Sequence, residues 1–419
     1  MAISDSTRPV DPIGVPRRLA SRKALAALTA GVLVAGAVTA VVLSHRSSTP
    51  TFLGPHADAA IAGTPVKVGT DVCGTGWTGG RAGPETYAVW NNSNEGLEVY
   101  LQDVTSGKVF LDIENLGATV TRTASVTLGA GSYRFYCIPS DADPIAGPTE
   151  KVTGAYAGAL TPGLVPITDN ELAPTLTVYQ SWIKSRLPVL EHQVRTLDAD
   201  VRSGDLVAAK RDWLAGHLTY ETLGAAYDAF GDDDAAINAS PTPGIPAAHD
   251  KDLHGFHRIE GLLWSGAAGA AISPATHALI GAVDHLGKDL VVPTMNTIDI
   301  GLRSHEILEN AIQFELTGAT DAGSHTNLAT IGANLVGTLE AMKPIRALLE
   351  RSDPDLAATD TWIARSQRLI RSFDHHGRWT PLADLTVTQH EDLDATLSQT
   401  AELLSEVAVV TDPRRDSDQ

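Results

Sequence analysis

The spacing of hydrophobic residues changes along the chain and divides it into an apolar segment, a β-rich region and a helical region. Residues 24–43 form an uncharged apolar run. From 64 to 155, short segments rich in alternating, β-branched and aromatic residues are separated by Gly, Asn and Ser, which predicts an all-β sandwich. From 169 to 411, hydrophobic residues recur with a period near 3.6, which predicts an all-α region. We therefore expect a multidomain protein.

Eight amphipathic segments are predicted in the helical region, and the short loops between them indicate one or two helical bundles. Pro174 and Pro188 lie inside the first segment and are expected to kink or break it. The predicted helices are 171–202, 204–230, 249–264, 274–290, 297–317, 325–351, 355–377 and 388–410.

The apolar run at 24–43 has the length of a membrane span, since about 1.5 Å per residue gives roughly 30 Å. Basic residues in 1–23 keep that stretch cytoplasmic and place the rest of the chain outside. We favour an uncleaved anchor, because a secretory signal has a shorter apolar run, although small residues at 57–59 would allow cleavage. Residues 44–63 have the composition of a linker. The expected location is the periplasm or the outer face of the cytoplasmic membrane.

The composition of the chain argues against some classes of partner and metal site, but it does not by itself assign a function. The 419 residues carry a formal charge of -19, which disfavours nucleic acid as a partner and concentrates cations near the surface. Only two cysteines occur, too few for a Cys-rich zinc site or an iron–sulfur cluster.

The segment 253–264 carries a candidate metal site. On a helical wheel, Phe256 and Ile259 lie in one apolar arc, and His257 and Glu260 fall inside that arc. A buried carboxylate costs several kcal/mol unless it is paired or coordinated, so Glu260 requires a partner. An imidazole and a carboxylate three residues apart on one helix can share a metal ion.

Two further helices show the same pattern. His217, Glu221 and Asp228 fall within an apolar arc of the preceding helix, and His305 and Glu309 lie on one face of a later helix. We predict that the first three contribute to the same metal site and that the last two form a second site or part of the first. Buried polar pairs without a metal remain the alternative reading of each face.

The ligand type restricts the metal. Carboxylate and imidazole groups without thiolate suit iron in either oxidation state, manganese or zinc, and disfavour cuprous copper. Iron is the expected ion once the following resemblance is added, with zinc or manganese as alternatives.

Four motifs in order resemble the EfeO branch of the imelysin family, over roughly residues 60–410. The resemblance implies a cupredoxin-like domain followed by two related four-helix bundles, with His257 and Glu260 binding metal and Glu221 added by its position in a Tyr-Glu motif. It also implies extracytoplasmic iron binding, with an iron permease and a peroxidase-like protein as partners. The motifs are GFHRIEGLLW, which contains the Gly-x-His-x-x-Glu signature, TYETLGAAYDAFGD, SHEILENAIQFELTG and TNLATIGANLVGTLEAM.

The β-rich region departs from a copper protein. A blue-copper centre needs Cys, two His and often Met, but no His lies between His56 and His192. Cys73 and Cys137 each end a predicted strand, and outside the cytoplasm we expect them to form a disulfide between the two sheets. Thiolates that bind a metal together with an acid such as Glu114 are the alternative.

Three functions follow from these features. The first is an iron-binding delivery protein, not an enzyme. The second is an imelysin-type metallopeptidase, but the zincin motif His-Glu-x-x-His is incomplete, because Gly261 follows Glu260 and the string that starts at His305 ends in Glu309. The third is a cell-envelope scaffold in which the polar pairs are purely structural.

Overall fold

The computed structural model describes residues 62–289 and 295–414. The expected cytoplasmic stretch 1–23, the anchor or signal at 24–43 and most of the linker 44–63 lie outside the described residues. Within the described ranges, no helix combines the length and the apolarity that a membrane crossing requires.

A β-rich region comes first, as the alternation predicts. Its strands form one sheet with the order β1-β3-β6 and a second with the order β2-β9-β7-β4-β5, where β8 pairs with β7. β1 runs parallel to β3, and β4 runs antiparallel to both β5 and β7. The strands are β1 Thr64–Val68, β2 Gly80–Arg81, β3 Gly83–Asn91, β4 Leu97–Asp103, β5 Val109–Leu116, β6 Thr121–Leu128, β7 Gly131–Pro139, β8 Ile145–Ala146 and β9 Glu150–Thr153.

The core of this region joins the two sheets. Trp77, Tyr87 and Phe135 pack edge to face, with ring centroids 5.3–5.8 Å apart. Beside them, Cys73 in the loop after β1 and Cys137 on β7 are both buried and form a disulfide, with their Cα atoms 5.9 Å apart. Both cysteines are therefore occupied, which leaves no thiolate for the alternative metal site with Glu114.

Loss of this disulfide should destabilise the β-rich region. The bridge closes a loop with a sequence separation of 64 residues. Closing such a loop restricts the unfolded chain, and its removal is expected to cost about 3 kcal/mol. Thermal unfolding of the Cys73→Ala, Cys137→Ala double variant, followed by near-ultraviolet circular dichroism, should show an earlier transition than the wild type. An equal midpoint in the two proteins would contradict this expectation.

Ten α-helices follow in the described part of the chain. They are α1 Asp169–Ser203, α2 Leu206–Glu221, α3 Tyr227–Phe230, α4 Asp232–Asn238, α5 Gly255–Trp264, α6 Gly269–Asp289, α7 Asp299–Asn310, α8 Asn327–Ser352, α9 Leu356–Arg371 and α10 Val387–Val410. Helices α1, α2, α5 and α6 pack together, and so do α7, α8, α9 and α10. α8 also contacts α1 and α2, and one continuous hydrophobic core runs through both groups.

Of the two expected effects of proline on the first helix, a kink or a break, the break does not occur. α1 runs unbroken through Pro174 and Pro188. A proline inside a helix removes one backbone hydrogen bond and costs about 3 kcal/mol. Leu187 and Leu190 on either side of Pro188 are buried in the core, and burial of one such side chain contributes about 1.5–3 kcal/mol. Packing along α1 therefore outweighs the local penalty.

The single helix predicted over 204–230 is also wrong. α2 ends at Glu221, and a short 3₁₀ turn at Gly224–Ala226 leads into α3. A Cβ atom at Gly224 would lie only 2.9 Å from Cγ1 of Ile307, so glycine allows α7 to approach the chain here. The break leaves Glu221 at the end of α2, where its side chain faces the space between α2 and α7.

Candidate metal cavity

A cavity of about 210 Å³ lies between the end of α2, α4, α5, α8 and the turn that follows α7. Acidic and imidazole groups line it: Glu221, Asp234, His257 and Glu315. None of its lining residues, all within the described ranges, is Lys or Arg. A concave space with several acids and neither Lys nor Arg suits a cation.

α5 brings the Gly-x-His-x-x-Glu motif to the cavity through an unusual first residue. Gly255 has a φ of +66°, and a Cβ atom there would lie 1.8 Å from the carbonyl oxygen of Ile237. Only glycine adopts this conformation at such a close approach. The indole Nε1 of Trp213 donates to the carbonyl of Phe256 at 2.8 Å and holds the first turn. α5 therefore starts at a fixed point against α4 and α2.

Within α5, His257 and Glu260 are both buried, 3% and 1% exposed, and they contact each other. His257 Nδ1 lies 3.2 Å from Glu260 Oε2. The other oxygen, Oε1, accepts the backbone N–H groups of Ala322 at 3.1 Å and Ser324 at 2.8 Å. Glu260 thus connects the His257 ring to the backbone of the loop that contains Ala322 and Ser324. With Nδ1 turned toward Glu260, Nε2 is the ring nitrogen left for a ligand.

Glu221 is held by groups from three elements. Its oxygens accept from the amides of Asn238 at 2.8 Å and Asn334 at 2.7 Å, and Oε1 lies 3.2 Å from His217 Nε2. Burial raises the pKa of the Glu221 carboxyl, but His217 and the two amides outweigh it and the net pKa is lowered. The carboxyl is therefore an anion despite its burial.

His217 is a buried imidazole with few polar contacts. It is 2% exposed and stacks on Trp213 with ring centroids 5.0 Å apart. The 3.2 Å approach of Nε2 to Glu221 is too poorly aligned for a hydrogen bond, and Nδ1 has no partner among the described residues. An orphaned buried nitrogen beside a carboxylate costs free energy unless a ligand or a proton satisfies it.

Glu315 is a further acidic group that lines the cavity, and none of the predicted helix faces includes it. It lies on a π-helical turn, Ala311–Glu315, and accepts from Thr320 Oγ1 at 2.5 Å and Asn327 Nδ2 at 2.9 Å. Burial, with the nearby Glu221 charge, raises the pKa of Glu315 to about 7. π-helical turns are rare and frequently occur at functional sites.

The hydrophobic pattern that leads to Glu315 lies on a different face of α7 from the face of His305 and Glu309. The predicted face held His305, Glu309 and the apolar residues around them, which are half-buried or exposed. The buried face carries Ile300, Ser304, Leu308, Ala311 and Glu315, at spacings of three and four residues. A second helical wheel centred on Leu308 would have placed Glu315 inside the protein.

Three other predicted ligands do not reach the cavity. The Asp228 side chain is 71% exposed and pairs with Arg303, because the turn after α2 rotates it away from the apolar arc. His305 Nδ1 lies 3.0 Å from the carbonyl of Ala401, and Nε2 lies 3.3 Å from Glu309, which is exposed. His305 therefore links α7 to α10 near the surface.

The cavity is an array of paired groups rather than a closed coordination shell. Among residues 62–289 and 295–414, no group of three or more His, Cys, Asp or Glu side chains stands ready to hold a metal ion. Each acid is held instead by amides, hydroxyls or backbone N–H groups. Coordination of an ion would require rotation of side chains that already face one space.

The raised pKa of Glu315 predicts a pH-dependent stability for the metal-free protein. Its ordinary pKa of 4.5 applies to the unfolded chain, whereas the folded value is about 7. Between these values the folded state binds more protons, so the free energy of unfolding falls as pH rises, by about 2–3 kcal/mol. Urea unfolding in a chelator at pH 5 and pH 8 should show that Glu315→Gln gains stability relative to wild type at pH 8.

Glu402→Gln is the matched control, because Glu402 is exposed on α10. Its difference from wild type should be the same at both pH values. A difference between Glu315→Gln and wild type that does not change with pH would contradict the assignment of this titration to Glu315.

A family model matches part of the helical region, and two relatives match about two thirds of the chain. Residues 175–291 match the family model described as "Imelysin", whose short name is Peptidase_M75. The chain is 24% identical over 276 residues to "Iron uptake system component EfeO" of Yersinia pseudotuberculosis, covering 66% of this chain and 71% of that protein. It is 22% identical over 282 residues to the Escherichia coli protein of the same name, covering 66% and 72%. The matched segment 175–291 contains His217, Glu221, His257 and Glu260.

Proposed function

Because the chain is an EfeO-type protein of the imelysin family, we propose that it takes part in iron uptake as an extracytoplasmic iron-binding protein. The observation that carries this proposal is the cavity lined by Glu221, His257 and Glu315, with neither Lys nor Arg among its lining residues. Iron is the cargo, captured in the cavity and passed to a membrane iron permease. A peroxidase-like protein of the same uptake system is the second expected partner.

Glu221, His257 and Glu315 are the proposed ligands. Glu221 supplies an anionic carboxylate, His257 supplies Nε2, and Glu315 loses its proton when the ion enters. Carboxylate and imidazole donors suit iron, and the two cysteines are not available as soft ligands because they are joined in a disulfide. Zinc and manganese suit the same donors and are the competing ions in any binding experiment.

Glu260 and His217 have positioning roles in this proposal. Glu260 holds His257 by Nδ1, an arrangement in which a carboxylate fixes the tautomer of a metal-binding histidine. His217 lies behind Glu221 and supports its negative charge, and it becomes a ligand if the Glu221 side chain rotates. The predicted contributions of Glu260 and His217 thus become indirect, through the groups they hold.

Reversible binding is what a delivery protein needs. The two proposed carboxylate ligands have other partners in the metal-free protein: amides for Glu221, and a hydroxyl and an amide for Glu315. Release of the ion therefore does not leave bare buried charges. These partners lower the net affinity, because an incoming ion must replace them.

Calorimetric titration of the full chain with ferrous iron, without oxygen, tests the proposal. We expect one ion per chain, and X-ray absorption at the iron edge should show only nitrogen and oxygen ligands. Absence of binding for ferrous, ferric, manganous and zinc ions would favour a cell-envelope scaffold instead. Zinc-dependent cleavage of peptides by the wild type, lost in His257→Ala, would favour the metallopeptidase.

A further inference from the structure

The segment 320–327, which runs from the turn after α7 to the first residue of α8, holds Glu315 at both of its ends. Thr320 Oγ1 donates to one oxygen of the Glu315 carboxylate at 2.5 Å, and Asn327 Nδ2 donates to the other at 2.9 Å. Thr320 and Asn327 are both buried. The course of the backbone between these two residues therefore fixes where the donors to Glu315 stand, and with them the direction of its side chain.

In the middle of this segment, two carboxylates share the backbone N–H groups of residues 322–325 in alternation. The first and third N–H groups donate to Oε1 of Glu260, at 3.1 Å and 2.8 Å. The second and fourth donate to Oδ1 of Asp321, at 2.8 Å and 3.1 Å. Glu260 also contacts the ring of His257, so the group that fixes this alternation acts on His257 as well.

Asp321 also binds the imidazole ring of the last residue in the alternation. Its Oδ2 lies 2.6 Å from Nδ1 of His325, whose φ of +58° is a left-handed conformation that a residue with a Cβ atom keeps only where its surroundings enforce it. Burial raises the pKa of the Asp321 carboxyl, but the N–H groups of Gly323 and His325 and the His325 ring outweigh it, so the net pKa is lowered. An anionic Asp321 therefore holds the backbone in a shape that is otherwise unfavourable.

We propose that Asp321 is a positioning residue for His257 and Glu315, acting on both through the backbone of 320–327. With its carboxylate in place, the segment meets Glu260, and Glu260 keeps the proton of the His257 ring on Nδ1, so that Nε2 retains its lone pair for an ion. Without it, two backbone N–H groups lose their acceptor and both ligands lose their direction. This role rests on the proposed iron site, but the tautomer of His257 can be measured without any ion.

Long-range ¹H–¹⁵N correlation spectra of the metal-free full chain, labelled with ¹⁵N-histidine, report which ring nitrogen of His257 carries the proton. The chain has 14 histidines, so the signal of His257 is identified as the one that disappears in His257→Gln. At pH 8 we expect the proton on Nδ1 in the wild type and a shift toward the Nε2–H form in Asp321→Ala. Asp321→Asn should restore the wild-type form, because the Asn Oδ1 still accepts the two backbone N–H groups.

Ferrous iron calorimetry of the same variants measures the effect on binding. Asp321→Ala should weaken the affinity by about 10-fold, the lower end of the loss for a group that orients a metal ligand, and Asp321→Asn should stay within about 3-fold of the wild type. Asp374→Ala is the matched control: Asp374 Oδ1 likewise accepts the N–H of a loop residue, Gly377, at 2.7 Å next to a histidine of positive φ, His376, but that loop does not line the cavity. It should leave the tautomer and the affinity unchanged.

Three results would overturn the role of Asp321. They are the same His257 tautomer in the wild type and Asp321→Ala, the same iron affinity in these two proteins, or an equal loss in Asp374→Ala. If the wild type binds no iron while Asp321→Ala still shifts the tautomer, the proposed function fails and the positioning of His257 by Asp321 stands.

Discussion

Glu221→Gln should weaken ferrous iron binding by at least about 100-fold. The change removes the carboxylate that is anionic despite full burial, and with it the charge that balances the ion. Loss of a group that only orients a ligand typically costs 10–100-fold in metal affinity, so loss of an anionic ligand should cost more. Calorimetry of wild type and variant under the same anaerobic conditions measures the difference.

This substitution is suited to the test because the fold should tolerate it. Gln has nearly the same shape as Glu, but only one of its two terminal atoms is an N–H donor. One of the two amides that now donate to Glu221, Asn238 or Asn334, therefore has to reverse and accept, while the other continues to donate. A loss of affinity in a variant with wild-type helix content and unfolding midpoint is then attributable to the ligand rather than to damage of the helical core.

Glu309→Gln is the matched control for Glu221→Gln. Both glutamates lie four residues after a histidine on a helix and approach its Nε2, at 3.2 Å for His217 and Glu221 and at 3.3 Å for His305 and Glu309. Glu221 is buried, whereas Glu309 is exposed and away from the cavity. We expect Glu309→Gln to keep the wild-type affinity within about two-fold, since exposed pairs contribute little. Equal losses in both variants would contradict the cavity as the binding site.

Helices α5 and α7 show how much of the site can be predicted from the sequence. The wheel correctly places His257 and Glu260 inside, because α5 is buried around almost its whole circumference and only Arg258 and Trp264 are half-buried. α7 has apolar residues on two arcs, and the half-buried Leu302, Ile312 and Leu316 made the surface arc resemble a core. Periodicity identifies an apolar arc, but the neighbours that cover it are set by tertiary packing.

The end of α2 at Glu221 explains why Asp228 does not share the direction of Glu221. Extending one helical period from 204 to 230 placed Asp228 on the same arc as Glu221, but the 3₁₀ turn at Gly224–Ala226 resets the direction of the side chains. Gly224 was the local sign of this break, and its reason is the approach of Ile307 from a helix more than 80 residues later. In the β-rich region, by contrast, the alternation of residues predicts a region of short strands, and the structure has strands there.

Gly255→Ala should destabilise the helical region by about 4 kcal/mol and remove most of its iron binding. A non-glycine residue at φ +66° costs about 1–2 kcal/mol, and the new Cβ atom would lie 1.8 Å from the Ile237 carbonyl oxygen, so α4 or α5 must shift. A shift of α5 displaces His257 and separates Glu260 from the N–H groups of Ala322 and Ser324. Urea unfolding and iron calorimetry of the same preparation measure the two effects.

Gly281→Ala is the matched control, because it makes the same chemical change at a position with neither a positive φ nor a close contact for the new Cβ atom. Gly281 is exposed inside α6, and a Cβ atom there meets no other atom within 4 Å. Alanine is a better helix former than glycine, so this variant should be more stable than wild type by about 0.5–1 kcal/mol, with unchanged iron affinity. If Gly255→Ala lowers the stability and Gly281→Ala raises it, the contact between α4 and α5 is the reason that the Gly-x-His-x-x-Glu motif begins with glycine. If Gly255→Ala were as stable as wild type, that contact would not be what fixes the start of α5, and the position of His257 would need another cause.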